Sequence, residues 1–222
     1  METVVISLGG SIIVPEGIDA EFLKAFKEAI LNLSKDHKIV VCTGGGHTAR
    51  EYISVLKEEE VSEDIQDWMG IEITRINARL VASLLEANEM IPRSEEEVAA
   101  LLEQYDIVLV GGLRPGQTSD GATAMIAMHL KAKKMVNITN VDGLYDKDPR
   151  KHDDAKFIAK ISHEDFLEMI KKIGQKPGQH FVLDKVAAEI TAEEGIEVAI
   201  LKGVDNLKKY LKGEKFTGTV IN

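Results

Sequence analysis

Residues 3–11 read TVVISLGGS, an aliphatic and β-branched run that stops on Gly9 and Gly10. A strand apolar on successive residues has no solvent face, as expected for a parallel sheet covered on both sides. Four further runs have this character: residues 38–42 (KIVVC), 106–110 (DIVLV), 135–139 (MVNIT) and 196–201 (IEVAIL). Helical periodicity fills the intervals. Over residues 19–36, Phe22, Leu23, Phe26, Ile30 and Leu33 share one face, and Asp19 stands at the N-cap position. Residues 62–87 predict one long helix, and Ser94 with Glu97 and Ser162 with Asp165 have capping-box-like spacing. Strands alternating with helices predict an α/β fold built on a mostly parallel sheet.

Composition narrows the class of protein. Among 222 residues, 27 Lys and Arg against 37 Asp and Glu leave a formal charge of −10, with 44% hydrophobic and 29% charged residues. That balance describes a globular chain and argues against broad binding to a nucleic-acid backbone. Cys42 is the single cysteine, so no internal disulfide framework is expected. No run approaches the ~20 apolar residues of a membrane span, and the N-terminus has no basic, cleavable leader pattern. The expectation is a soluble cytoplasmic protein with no membrane partner. There is no internal repeat or low-complexity linker, and one domain over residues 1–222 is expected. Residues 141–160 (VDGLYDKDPRKHDDAKFIAK) form the most polar, turn-rich segment and divide it into lobes of 1–140 and 141–222.

Three strands run directly into glycine: Gly9 and Gly10, then Gly44, Gly45 and Gly46, then Gly111 and Gly112. In an open parallel sheet the strand carboxyl ends form one edge, where ligands bind. Glycine lets backbone amides approach an anion, and a helix starting there adds a positive end. One such pair can reflect helix–strand packing alone; three on one edge point to two phosphorylated ligands meeting. The P-loop, dinucleotide and protein-kinase glycine motifs are all missing.

The segments GGGHTAREY (44–52), DWMGIEITRINA (67–78), PGQTSDG (115–121) and TNVDGLYDKDPR (139–150), in this order, resemble the amino acid kinase superfamily, and within it the archaeal-type uridylate (UMP) kinases. The resemblance runs from Val4 to Thr219. It implies a three-layer α/β/α sandwich, a homohexamer, and transfer of the γ-phosphoryl of ATP to UMP with Mg²⁺ as cofactor, held mainly by the ATP phosphates rather than by a protein metal site. Carried over by position, Gly10, Ser11, Gly46 and Arg50 would line the ATP phosphates, with Thr139, Tyr145 and Asp148 on the adenosine side. Gly45 would meet the UMP phosphate, Asp67 the ribose hydroxyls, and Leu113, Arg114, Pro115, Gly116, Gln117, Thr118 and Ser119 the uracil and phosphate. The lobe 1–140 would bind the acceptor and 141–222 the ATP.

This chain also departs from the wider superfamily. Ser7 stands where many relatives carry a lysine, so transition-state charge must be met elsewhere, with Arg50 and Mg²⁺ as candidates. Asp120 falls where relatives orient catalytic cations, and Lys185 matches a lysine used by acetylglutamate kinases; with Arg50 these form the candidate catalytic set. Leu113 and Arg114 replace smaller or imidazole-bearing residues and leave the acceptor base open. Two other roles share the fold: phosphotransfer to isopentenyl phosphate or acetylglutamate, and non-enzymatic storage of molybdenum-type oxyanions. Plainer readings stand beside these. Asp67 suits a helix N-terminus, Thr118 and Ser119 suit caps, and Arg50 and the KAKK cluster suit solvated surface. Trp68 and Met69 read as packing or subunit-contact residues. The histidines, including His180, have no metal spacing, and Cys42 reads as an inert apolar residue.

Overall fold

The first strand, β1 (Glu2–Leu8), sends alternate side chains into two separate cores. Val4, Ile6 and Leu8 enter one, and Val5 enters the other. The same alternation holds in β2 (His37–Thr43), β3 (Ile107–Val110) and β4 (Lys134–Thr139), which explains their continuous apolar sequences. This is a computed structural model, and it describes residues 1–147, 149, 151–173 and 182–222. Asp148 and His180 lie outside the described residues.

Between these strands stand α1 (Gly10–Ile13), α2 (Ala20–Leu33), α3 (Gly46–Glu58), α4 (Glu63–Leu85), α5 (Glu95–Gln104) and α6 (Ser119–His129). After β4 come the short strands β5 (Leu144–Tyr145), β6 (Phe157–Ile158) and β7 (Lys160–Ile161), then α7 (His163–Ile173) and α8 (Lys185–Glu193). The chain closes with β8 (Glu197–Lys202), α9 (Gly203–Leu211) and β9 (Gly218–Ile221). Helices α2, α4 and α9 supply apolar side chains to the first core, and α5, α6, α7 and α8 to the second. The result is the expected three-layer α/β/α sandwich.

Local signals locate several of these elements. The Asp19 carboxylate accepts from Phe22 N at 2.9 Å and starts α2, a cap worth about 1 kcal/mol. That helix then buries Leu23, Phe26, Ala29, Ile30 and Leu33. Ser94 and Ser162 accept from the amides of Glu97 and Asp165, as their spacing suggests. Helix α4 stops at Leu85 because Glu86 turns left-handed, at φ 52°.

The main sheet has the order β3-β2-β1-β4-β8-β9-β7. It is parallel from β3 to β8; β9 runs antiparallel to β8, and β7 pairs parallel with β9. Strands from both sides of residue 140 thus share one sheet. The chain moves outward from β1 to β3 and then returns to the other side of β1 as β4. That reversal is a topological switch point, and a crevice opens outside its carboxyl ends. The far edge and the small antiparallel pair β5-β6 carry no periodic signal in the sequence, because their strands are only two to four residues long. Among the described residues, no helix is long and apolar enough to cross a membrane.

Candidate active site

The turns after β1 and β2 lock together through their glycines. A Cβ on Gly10 would overlap Gly46 N and stand 2.6 Å from Gly45 N, and one on Gly46, at φ 66°, would overlap Gly10 O. Backbone therefore packs on backbone where no side chain fits. Gly9 N donates to Ile138 O at 3.2 Å, tying the first turn to the end of β4. The glycines are thus needed for close approach whether or not a ligand is bound.

The third turn packs on α4. A Cβ on Gly111 would lie 2.7 Å from Arg75 N, and Gly112 N donates to Thr74 Oγ1 at 2.6 Å. A cavity of about 240 Å³ opens between these parts. Its wall includes Gly45, the N-cap of α3, and Thr118 and Ser119, the N-cap and first residue of α6. Two helix N-termini therefore face one cavity, a favourable setting for an anion. Asp67, Arg114, Gly116 and Gln117 complete the polar side, and Ala49, Ile53, Ile71, Pro115 and Ala122 supply apolar surface.

Three helices hold the segment 113–119. Asp67 of α4 accepts from Gly116 N at 2.6 Å. Glu95, the first residue of α5 and 4% exposed, accepts from Arg114 Nη2 at 2.5 Å. Thr118 Oγ1 donates to Asp184, the N-cap of α8, and accepts from Gly121 N at 3.0 Å. Leu113 differs from its neighbours: its side chain is buried in the second core.

At the switch point, Ser7 of β1 and Asn137 of β4 stand opposite each other in register. Ser7 Oγ donates to Asp120 Oδ1 at 2.8 Å, and Asn137 Nδ2 donates to Asp120 Oδ2 at 3.3 Å and to Val182 O at 2.6 Å. Burial pushes the Asp120 carboxyl up to about 6, aided by the Asp184 charge and opposed by the Ser7 and Asn137 hydrogen bonds. Cys42 lines the cavity, but burial raises its thiol to about 12, so it stays protonated and unreactive.

The structure gathers Gly45, Asp67 and residues 114–119 on one cavity. Gly10, Ser11 and Gly46 stand at the interlocked turns beside it, and Arg50 lies exposed one turn into α3. Thr139 ends β4, and Tyr145 on β5 meets Phe157 edge-on, with ring centroids 5.3 Å apart. Lys185 opens α8, exposed, with Nζ 3.5 Å from Glu189. Sequence reasoning did not single out Asn137, Asp184, Glu95 or Thr74. Asn137 in an apolar strand and Asp184 before a helix are signals that could have found the first two. Glu95 and Thr74 look like ordinary helix residues until the tertiary contacts are known.

The family model of the amino acid kinase family matches residues 2–202. The uridylate kinase of Thermoplasma acidophilum is 38% identical over 223 residues, covering 100% of this chain and 97% of the relative. That of Methanobrevibacter smithii is 36% identical, covering 99% of each. The crystal structure of uridylate kinase from Archaeoglobus fulgidus superposes with a TM-score of 0.90 at 34% identity, covering 100% of both chains.

Proposed function

The chain belongs to the amino acid kinase family, and on that premise we propose that it is an enzyme transferring the γ-phosphoryl of ATP to UMP, giving ADP and UDP for pyrimidine nucleotide synthesis. The observation that carries the reading is the cavity at the carboxyl ends of β2 and β3, joined to full-length likeness to uridylate kinases. Two helix N-termini suit the acceptor phosphate, and the apolar wall suits a pyrimidine. In this proposal Gly45 and residues 113–119 enclose UMP, with Leu113 contributing through its backbone, and Asp67 meets the ribose hydroxyls. Its Oδ2 already holds Gly116 N, so the ribose is offered the other oxygen.

ATP is assigned to the interlocked turns, with Gly10, Ser11, Gly46 and Arg50 at its phosphates and Thr139, Tyr145 and Asp148 on the adenosine side. Within the domain of residues 1–222, the acceptor site of this proposal lies wholly in the lobe 1–140, and the lobe 141–222 completes the adenosine side of the ATP site through Tyr145 and Asp148. An oxygen of the UMP phosphate attacks the γ-phosphorus in line; the bond to the β–γ bridging oxygen breaks, and ADP leaves. That oxygen is ionised near neutral pH, so alignment and charge neutralisation are the protein's task. Arg50 supplies positive charge, Lys185 can add a second cation by leaving Glu189, and Asp120 orients the groups around the reacting phosphates. Mg²⁺ entering with ATP would neutralise phosphate charge; the reading gives it no dedicated protein site. Exposed Tyr52 and Val55 on α3 and Ile65, Trp68 and Ile76 on α4 support assembly of copies, for which a homohexamer is the reading, in the cytoplasm.

The test is ADP release and UDP formation with UMP, compared with CMP, isopentenyl phosphate and acetylglutamate. UMP is expected to give the highest kcat/KM. No UDP with UMP, together with purified protein carrying stoichiometric oxyanion metal, would favour a storage role.

A further inference from the structure

Eight residues with polar side chains line the cavity: Cys42, Thr43, Asp67, Thr74, Arg114, Gln117, Thr118 and Ser119. Most are already engaged by the protein. Thr43 Oγ1 donates to Thr74 O at 2.8 Å, and Thr74 Oγ1 bonds Ile71 O and Gly112 N at 2.6 Å each. Asp67 holds Gly116 N, Arg114 holds Glu95, Thr118 joins Asp184 to Gly121 N, and Cys42 interacts with Thr123. Ser119 is the first residue of α6, at the end of the cavity suited to phosphate. Gln117 is different. Its Oε1 is enclosed, has no hydrogen-bond partner, and is the only such orphan among the described residues that line the cavity.

An enclosed carbonyl oxygen without a donor is costly, and native structures rarely keep one without a reason. Rotation about the last side-chain bond of glutamine is soft, so the amide can turn its oxygen toward the cavity. A uracil placed against the apolar wall brings the complementary group: N3–H, a donor that also needs a partner once out of water. We propose that the Gln117 carboxamide reads the acceptor's base, its Oε1 accepting from uracil N3–H. This rests on the proposed UMP kinase function and deepens it. Pairing two otherwise orphaned groups gives selectivity that apolar contact alone does not. Cytosine carries a lone pair at N3 and opposes the same oxygen unless the amide turns over. Gln117 is thus a specificity-determining residue, next to Thr118 and Ser119 at the phosphate end.

The experiment deletes each partner separately. UMP and N3-methyl-UMP are compared as acceptors for the wild type, Gln117→Ala and Gln117→Leu, and UMP binding without ATP is followed by calorimetry. The wild type is expected to prefer UMP by about tenfold or more in kcat/KM. Both variants should lose most of that preference, Gln117→Ala by also relieving the methyl group and Gln117→Leu by weakening UMP alone. A preference that survives both substitutions in folded protein, with UMP still a good substrate, overturns the role of Gln117 and leaves the kinase reading intact. A wild type that neither binds nor phosphorylates UMP overturns both.

Discussion

Asp120 offers a prediction whose magnitude follows from its surroundings. Its carboxyl is raised from the usual 3.8 to about 6, chiefly by burial. A native pKa above the unfolded one means that the folded state holds its proton longer. The associated stability is fully present below the unfolded pKa, falls as pH rises past about 4, and is gone above about 6. The full difference corresponds to about 3 kcal/mol. Asp120 is only partly shielded from solvent, and screening reduces this to about 2 kcal/mol. Asp120→Asn removes the ionisation and keeps the shape: its carbonyl can accept from Asn137, and Ser7 can turn its hydroxyl to accept from the new amide. The variant should match the wild type near pH 4, gain stability over it up to about pH 6, and hold a constant advantage of about 2 kcal/mol above. For a domain of this size that is about 4–8 °C in Tm. Urea unfolding of both proteins at pH values from about 4.5 to 7.5 measures the difference directly, and background titrations common to both cancel. If Asp120 orients groups around the transferred phosphoryl, turnover should fall at least about tenfold in the same variant. An advantage of equal size at every pH would refute the reasoning, because it would locate the effect in packing rather than ionisation.

Arg50→Ala should lower kcat about tenfold or more, with the unfolding free energy in urea unchanged within about 0.5 kcal/mol, since the side chain is exposed; a wild-type rate would mark Arg50 as ordinary surface. Asp67→Ala should raise KM for UMP about tenfold while KM for ATP stays put. Equal changes in both would contradict the ribose assignment. Gly10→Ala drives a methyl group into the backbone of Gly45 and Gly46 and should cost at least about 2 kcal/mol, or prevent folding. Gly17→Ala, with nothing within 4 Å of the added carbon, should stay within about 0.5 kcal/mol in the same denaturation assay.

The central strands were legible because burial on both faces demands unbroken apolar runs. Residues 38–42 and 135–139 fall within β2 and β4 for that reason. Asp19, Ser94 and Ser162 were legible as caps because a helix start needs a local acceptor, and all three supply one. The far edge of the sheet was not: β7 and β9 are stabilised by pairing with distant segments, and four residues or fewer carry no period. The same difference runs through the site. Asp67 and Gly116 are 49 residues apart, and Ser7 and Asp120 are 113 apart, so no local pattern relates either pair.

By itself, the order of residues determined a parallel α/β sheet, glycine turns on one edge and the composition of the segment 113–119. Those are short-range matters, settled by backbone preference and by which faces must leave water. Only the folded chain decided that β4 returns beside β1, bringing Asn137 across from Ser7 and both onto Asp120. It also decided that Gln117 keeps an oxygen without a partner while most of the other polar residues lining the cavity are engaged. Hydrogen bonding and burial at such a site depend on groups far apart along the chain, and those meet only when the sheet and its helices have assembled.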